Sequence, residues 1–145
     1  MVKKCVAFIL PLFIIIGNIF SLSEGESYSY KEEWYIGTEV GGEDIVQLII
    51  SKIHPNRIDI KILKTMTGFP EFVVIEEIAF YNNGKYIFQF IDGWGNRGDG
   101  YFVVEDEHIK LFIQCTKVAN NLSARNMSGR IYGDGLEYTL IKGSL

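Results

Sequence analysis

Nucleophilic catalysis needs a hydroxyl or thiol beside a base, and this chain offers no such pairing by pattern. Its two histidines, His54 and His108, stand in turn-like stretches, and neither accompanies a Ser or Cys that reads as a nucleophile. The HExxH, GxSxG and CxxC patterns and the glycine loop that cradles a phosphate do not occur. Two turn histidines also fall short of the three or four ligands a zinc site takes. The oxygen donors Asp92, Asn96 and Asp99 lie three and four residues apart, whereas calcium loops place acids at alternate positions. The stretch Asp92–Gly100, with four glycines, therefore reads as a flexible hairpin loop. The expectation is a protein with no catalytic residues, no metal and no cofactor.

Charge and composition narrow the class further. With 14 Lys and Arg against 18 Asp and Glu, the net charge is −4 and the pI about 5.2. A nucleic-acid-binding surface needs clustered excess base, so nucleic acid is not an expected partner. Apolar residues make up 48% and charged residues 22% of 145, the balance of one globular domain and not of a disordered chain. The acids Glu71, Glu76, Glu77 and Glu105-Asp106-Glu107 read as a solvated face that also protects strand edges.

The first 23 residues read as a signal peptide. Lys3 and Lys4 precede an apolar run from Cys5 to Phe20, and Ser21-Leu22-Ser23 supplies a small-x-small cleavage pattern. That run is broken by Pro11, Gly17 and Asn18 and is shorter than the roughly 20 residues a membrane span requires. Once the leader is gone no stable membrane span is expected. Cleavage after Ser23 leaves residues 24–145, removes two lysines and no acid, and takes the net charge from −4 to −6. Cys5 leaves with the leader, so Cys115 stands alone and no internal disulfide forms. The expected location is periplasmic or extracellular.

The elements that must position any site read as strands. Phe, Tyr, Ile and Val are abundant, and Arg57-Ile58-Asp59-Ile60-Lys61-Ile62 alternates strictly, as a half-buried strand does. Asn82-Asn83-Gly84 is the strongest hairpin signal, because Asn-Gly supplies the two positive φ angles of a type I′ turn. Further strands are expected at Trp34–Thr38, Ile45–Ile53, Val73–Tyr81, Lys85–Ile91, Tyr101–Glu105, Ile109–Thr116 and Leu136–Ile141, with a short one at Ile131-Tyr132. No helix of ten or more residues is convincing. About eight strands with hairpin-length links predict an all-β antiparallel meander, closed into a small lipocalin-like up-and-down barrel to remove its edges.

Near the C-terminus stand Ser128-Gly129-Arg130-Ile131-Tyr132, then Asp134-Gly135-Leu136, then Lys142-Gly143. This resembles the S-G-x-x-Y, D-G and K-G signature of the bacterial membrane-bound and periplasmic C-type lysozyme inhibitors, small exported β-barrels. The resemblance implies that the loop with Ser128 and Gly129 enters the lysozyme cleft, where Ser128 hydrogen-bonds the catalytic carboxylates. Tyr132 would then buttress the loop or pack in the cleft, and Lys142 would add a positive contact. An acidic protein also suits a basic secreted enzyme such as lysozyme. The alternative is a lipocalin-like carrier of a small apolar ligand, lined by Tyr86, Phe88, Phe90, Leu111 and Tyr138, with Ile60 beside them. Eight strands enclose just enough room for either a filled core or one small ligand.

Overall fold

A computed structural model of the chain describes residues 22–67, 72–125, 132 and 134–143. Eight antiparallel strands close into a barrel in sequence order. They are β1 (Ser27–Ile36), β2 (Glu39–Ile53), β3 (Arg57–Met66), β4 (Phe72–Asn82), β5 (Lys85–Ile91), β6 (Arg97–Glu105), β7 (His108–Lys117) and β8 (Leu136–Lys142). The expected meander barrel is what forms. Tyr86, Phe88 and Phe90 alternate inward along β5 with exposed neighbours between them. Ile109, Leu111 and Ile113 also point inward on β7, between exposed Lys110 and half-buried His108, Phe112 and Gln114. Asn83 and Gly84 both hold positive φ, at 50° and 82°, as the type I′ turn requires.

Three strand starts differ from the sequence reading by four residues or more. β1 starts at Ser27, not Trp34, and β2 at Glu39, not Ile45, because the two strands pair from Ser27↔Ile49 to Ile36↔Glu39 as one long hairpin, with a bulge at Gly41 where the register shifts between Trp34 and Tyr35. β6 starts at Arg97, so the link after β5 is a tight turn over residues 92–96, not a nine-residue flexible loop. The reason lies in Gly98 and Gly100, whose missing side chains let β6 run beneath the rings of Phe90 and Phe88. The glycines that suggested a loop are strand glycines under aromatic rings. Tyr132 sits in a turn and not in a short strand; Ile131 lies outside the described residues.

Closure is narrow. β1 pairs with β8 through Tyr28↔Lys142 and Ser29↔Ile141 alone among the described residues. The Gly143 N–H donating to the Ser27 carbonyl, and Tyr30 against Tyr138 with ring centroids 5.4 Å apart, extend that seam. β4 and β5 pair over three residues beside their turn, Phe80↔Ile87 to Asn82↔Lys85. Beyond them, clefts of about 540 and 400 Å³ open on the outer wall and reach down to Phe88 and Phe90.

Candidate functional site

One end of the barrel carries the β1–β2 hairpin, the β5–β6 turn and the long β7–β8 connection. Asp92 organises this mouth. Its Oδ1 accepts from the backbone N–H of Trp94 and of Asn96, both at 2.9 Å. Its Oδ2 accepts from Asn96 Nδ2 at 3.1 Å and from the Tyr132 hydroxyl at 2.9 Å. Four donors fill the acceptor sites of one carboxylate, so the oxygens are engaged within the protein. A short Asp can reach back to N–H groups two and four residues on, which is why Asp-Gly-Trp-Gly-Asn turns so tightly here.

Asn96 carries the turn across to the next loop. Its Nδ2 also donates to the Ala124 carbonyl at 3.1 Å, and its Oδ1 accepts from the Ala119 N–H at 2.9 Å. Asn121 Oδ1 accepts from the Ala124 N–H at 2.7 Å, capping a single helical turn over residues 122–125. Tyr132 returns the chain to the same point. It is fully buried, with its ring 5.2 Å from that of Phe90. Burial, then the Asp92 charge and hydrogen bond, push its phenol far above the ordinary range. The β7–β8 connection is therefore pinned at Ala119 and Ala124 on one side and at Tyr132 on the other. Of the residues named at the C-terminus, Tyr132 is buried and bonded to Asp92, and Ser128 and Gly129 lie outside the described residues.

Lys142, the last member of that signature, stands at the opposite end of the barrel. Its ammonium pairs with Glu26 at 2.6 Å. Glu26 also accepts from the Ser23 N–H and the Tyr28 hydroxyl. Burial raises the Glu26 pKa, but the hydrogen bonds from Lys142, Ser23 and Tyr28 outweigh it and hold the carboxyl below its usual range. The structure does not bring Lys142 to the loop that Tyr132 anchors. β7 and β8 run from one end to the other between them, and β8 alone separates the two residues by its full length.

The inward residues named for a ligand are packed against one another. Tyr86 stacks on Phe102 with centroids 4.8 Å apart, and Phe88 lies 6.4 Å from Phe90. Leu111 is wholly buried within the same cluster, as is Ile60 nearly so. Tyr138 is half-buried near the mouth, its phenol pushed up to about 12 by burial and by Tyr30, Glu32 and Asp44. Lys64 is buried close by. Burial lowers its pKa against the raising pull of Asp44 and Glu32.

The groups weighed for chemistry are dispersed. His54 faces Asp59 at 3.4 Å and His108 faces Glu105 at 2.8 Å. Burial raises the Cys115 thiol pKa, which favours the unreactive protonated form. Among the described residues no group of three or more His, Cys, Asp or Glu could hold a metal ion. Asp99, the third donor of the Asp92–Gly100 stretch, accepts from Gln114 Nε2 at 2.8 Å on the barrel wall.

Sequence reasoning missed two features of the mouth. One is the role of Asp92 and Asn96, whose Asx-type spacing was a usable signal. The other is Trp34, which closes over Gly41 and Gly42. The class defined by this geometry is a small meander β-barrel with a tied mouth. No protein-family model, curated protein or solved structure matches the chain.

Proposed function

We propose that this protein is an exported, non-enzymatic binding module that recognises a partner protein with the mouth of its barrel. The supporting observation is the double anchorage of the β7–β8 connection, through Asn96 on Ala119 and Ala124 and through Tyr132 on Asp92. Ser128 and Gly129 fall in the chain between these anchors. Fixing both ends of a contact loop in the free protein lowers the ordering cost of binding. The partner suggested by the signature is a basic secreted enzyme such as a C-type lysozyme. The ring-to-ring packing of Tyr86, Phe88, Phe90 and Phe102 gives less support to a carrier role.

The test is inhibition of a C-type lysozyme by the purified protein. Inhibition is expected, weakened by Ser128→Ala at least tenfold with an unchanged melting temperature. Absence of inhibition at high micromolar concentration overturns the lysozyme assignment. Stoichiometric binding of an apolar fluorescent probe that raises the melting temperature would replace the binding-module reading with the carrier.

A further inference from the structure

The β1–β2 hairpin outruns the barrel. The ladder between β2 and β3 ends at Asp44↔Met66, and β1 meets β8 at Tyr28 and Ser29. From there to the tip the described ladders pair the two strands with each other alone. Thr67 clamps the base: its hydroxyl accepts from the Glu43 N–H at 2.7 Å, and its own N–H donates to the Glu43 carbonyl at 3.1 Å. What projects is a two-stranded ribbon held at its root.

The tip is apolar and built. Trp34, Tyr35, Ile36 and Val40 are 41%, 59%, 70% and 58% exposed. Trp34 and Ile36 share the face over Gly41, where a Cβ would collide with the indole and, at 2.9 Å, with Ile36 Cγ1. Gly42 leaves room for the other edge of the indole and for Thr67. The opposite face carries Tyr35, whose hydroxyl donates to Glu33 at 3.1 Å. Both aromatic side chains are thus held in place before any partner arrives, which is the condition for a binding hot spot.

Charge selects the partner. Residues 31–44 contain one base, Lys31, and five acids, Glu32, Glu33, Glu39, Glu43 and Asp44. Residues 24–145 hold 12 bases and 18 acids, a charge of −6, of which these 14 residues supply −4 and the other 108 only −2. Such a pole repels a second copy of itself and an anionic lipid surface. It attracts and orients a basic protein.

We infer that the β1–β2 hairpin is a docking element, inserting Trp34, Tyr35, Ile36 and Val40 into an apolar cleft of a basic partner protein while its acids meet the cleft's cationic rim. This rests on the binding-module reading and adds a second contact to it. Both the hairpin and the pinned β7–β8 connection belong to the same end of the barrel.

The experiment is a binding titration of a C-type lysozyme, used as the basic protein, with the wild-type chain and four variants. Tyr35→Ser/Ile36→Ser removes exposed apolar surface and nothing buried, so the fold survives; circular dichroism and the melting temperature check this. It should weaken binding at least tenfold. Glu39→Lys should slow association several-fold and flatten its salt dependence. Ile78→Ser/Phe80→Ser, on the outer wall away from the mouth, should leave binding within twofold. If the hairpin variants bind like wild type while Ser128→Ala does not, the hairpin inference is overturned and the binding-module reading stands. If the wild-type chain fails to bind at about 100 µM, the inference falls together with the lysozyme assignment.

Discussion

The hydroxyl of Tyr132 donates to Oδ2 of Asp92 across 40 positions of sequence, with both residues buried. This bond joins the β5–β6 turn to the end of the β7–β8 connection and makes two separate loops one structure. It also leaves the Tyr132 side chain buried beneath the mouth, with its hydroxyl engaged inside the protein.

Tyr132→Phe should destabilise the fold by about 1–3 kcal/mol, the cost of removing one partner of a buried, charged acceptor. Tyr132→Ala adds a cavity beside Phe90 and should cost about 3–5 kcal/mol. Urea denaturation followed by far-UV circular dichroism measures both. A Phe variant within 0.5 kcal/mol of wild type would mean that the hydrogen bond contributes little.

Stability should fall on the alkaline side, from pH 10 upward. Burial first, and the neighbouring Glu26 second, push the Tyr28 phenol up to about 12. Tyr138 is likewise held at about 12, and Tyr86 and Tyr132 are raised by burial. Above pH 10 the unfolded chain releases phenolic protons that the native state keeps, so it binds fewer protons and gains relative stability. The stabilisation is whole below pH 10 and is lost as pH rises through the folded values. A flat profile of unfolding free energy between pH 9 and pH 12 would contradict this, and Tyr138→Phe should make the profile shallower.

Gly98→Ala and Gly100→Ala should each cost about 1–3 kcal/mol, because overpacking forces rings and backbone to move. A Cβ at Gly98 would fall inside the Gln114 carbonyl and the Phe90 ring; at Gly100 it would strike Phe88 and the Phe112 carbonyl. Gly93→Ala, with nothing within 4 Å of the new carbon, should stay within about 0.5 kcal/mol. Thermal melts of the three variants separate the strand glycines from the turn glycine.

Cleavage of the expected leader should leave an N-terminus at Glu24 or within a few residues of it. Leu22 is buried in the core cluster, and Glu24 Oε1 accepts from the Ile53 N–H at 3.0 Å. A chain starting at Glu24 should therefore be about 1.5–3 kcal/mol less stable than one starting at Ser21, the value of one buried Leu. N-terminal sequencing and paired denaturation curves test the two statements. Recovery of Met1 on membrane-bound material would remove the cleavage expectation.

The strand content and order were legible in sequence because they are local. Alternation along Arg57–Ile62 and Lys85–Ile91, and the Asn83-Gly84 turn, each depend on backbone sterics within a few residues. Once eight such strands run antiparallel in sequence order, closing the sheet follows from the need to pair its edges. The mouth was less legible. Gly98 and Gly100 read as loop residues because glycine permits a turn and a close ring approach alike, and the ring that decides between them comes from the adjacent strand.

Sequence alone thus determined the all-β meander, its inward faces and its acidic balance, all set by period and composition. Only the tertiary structure decided that Asp92, Asn96 and Tyr132 share one buried network, that Lys142 pairs with Glu26 far from them, and that Trp34 rests on Gly41 and Gly42. Those pairings join residues whose separation along the chain carries no periodic signal. They depend on shear, register and the length of each hairpin, which are fixed when the barrel closes.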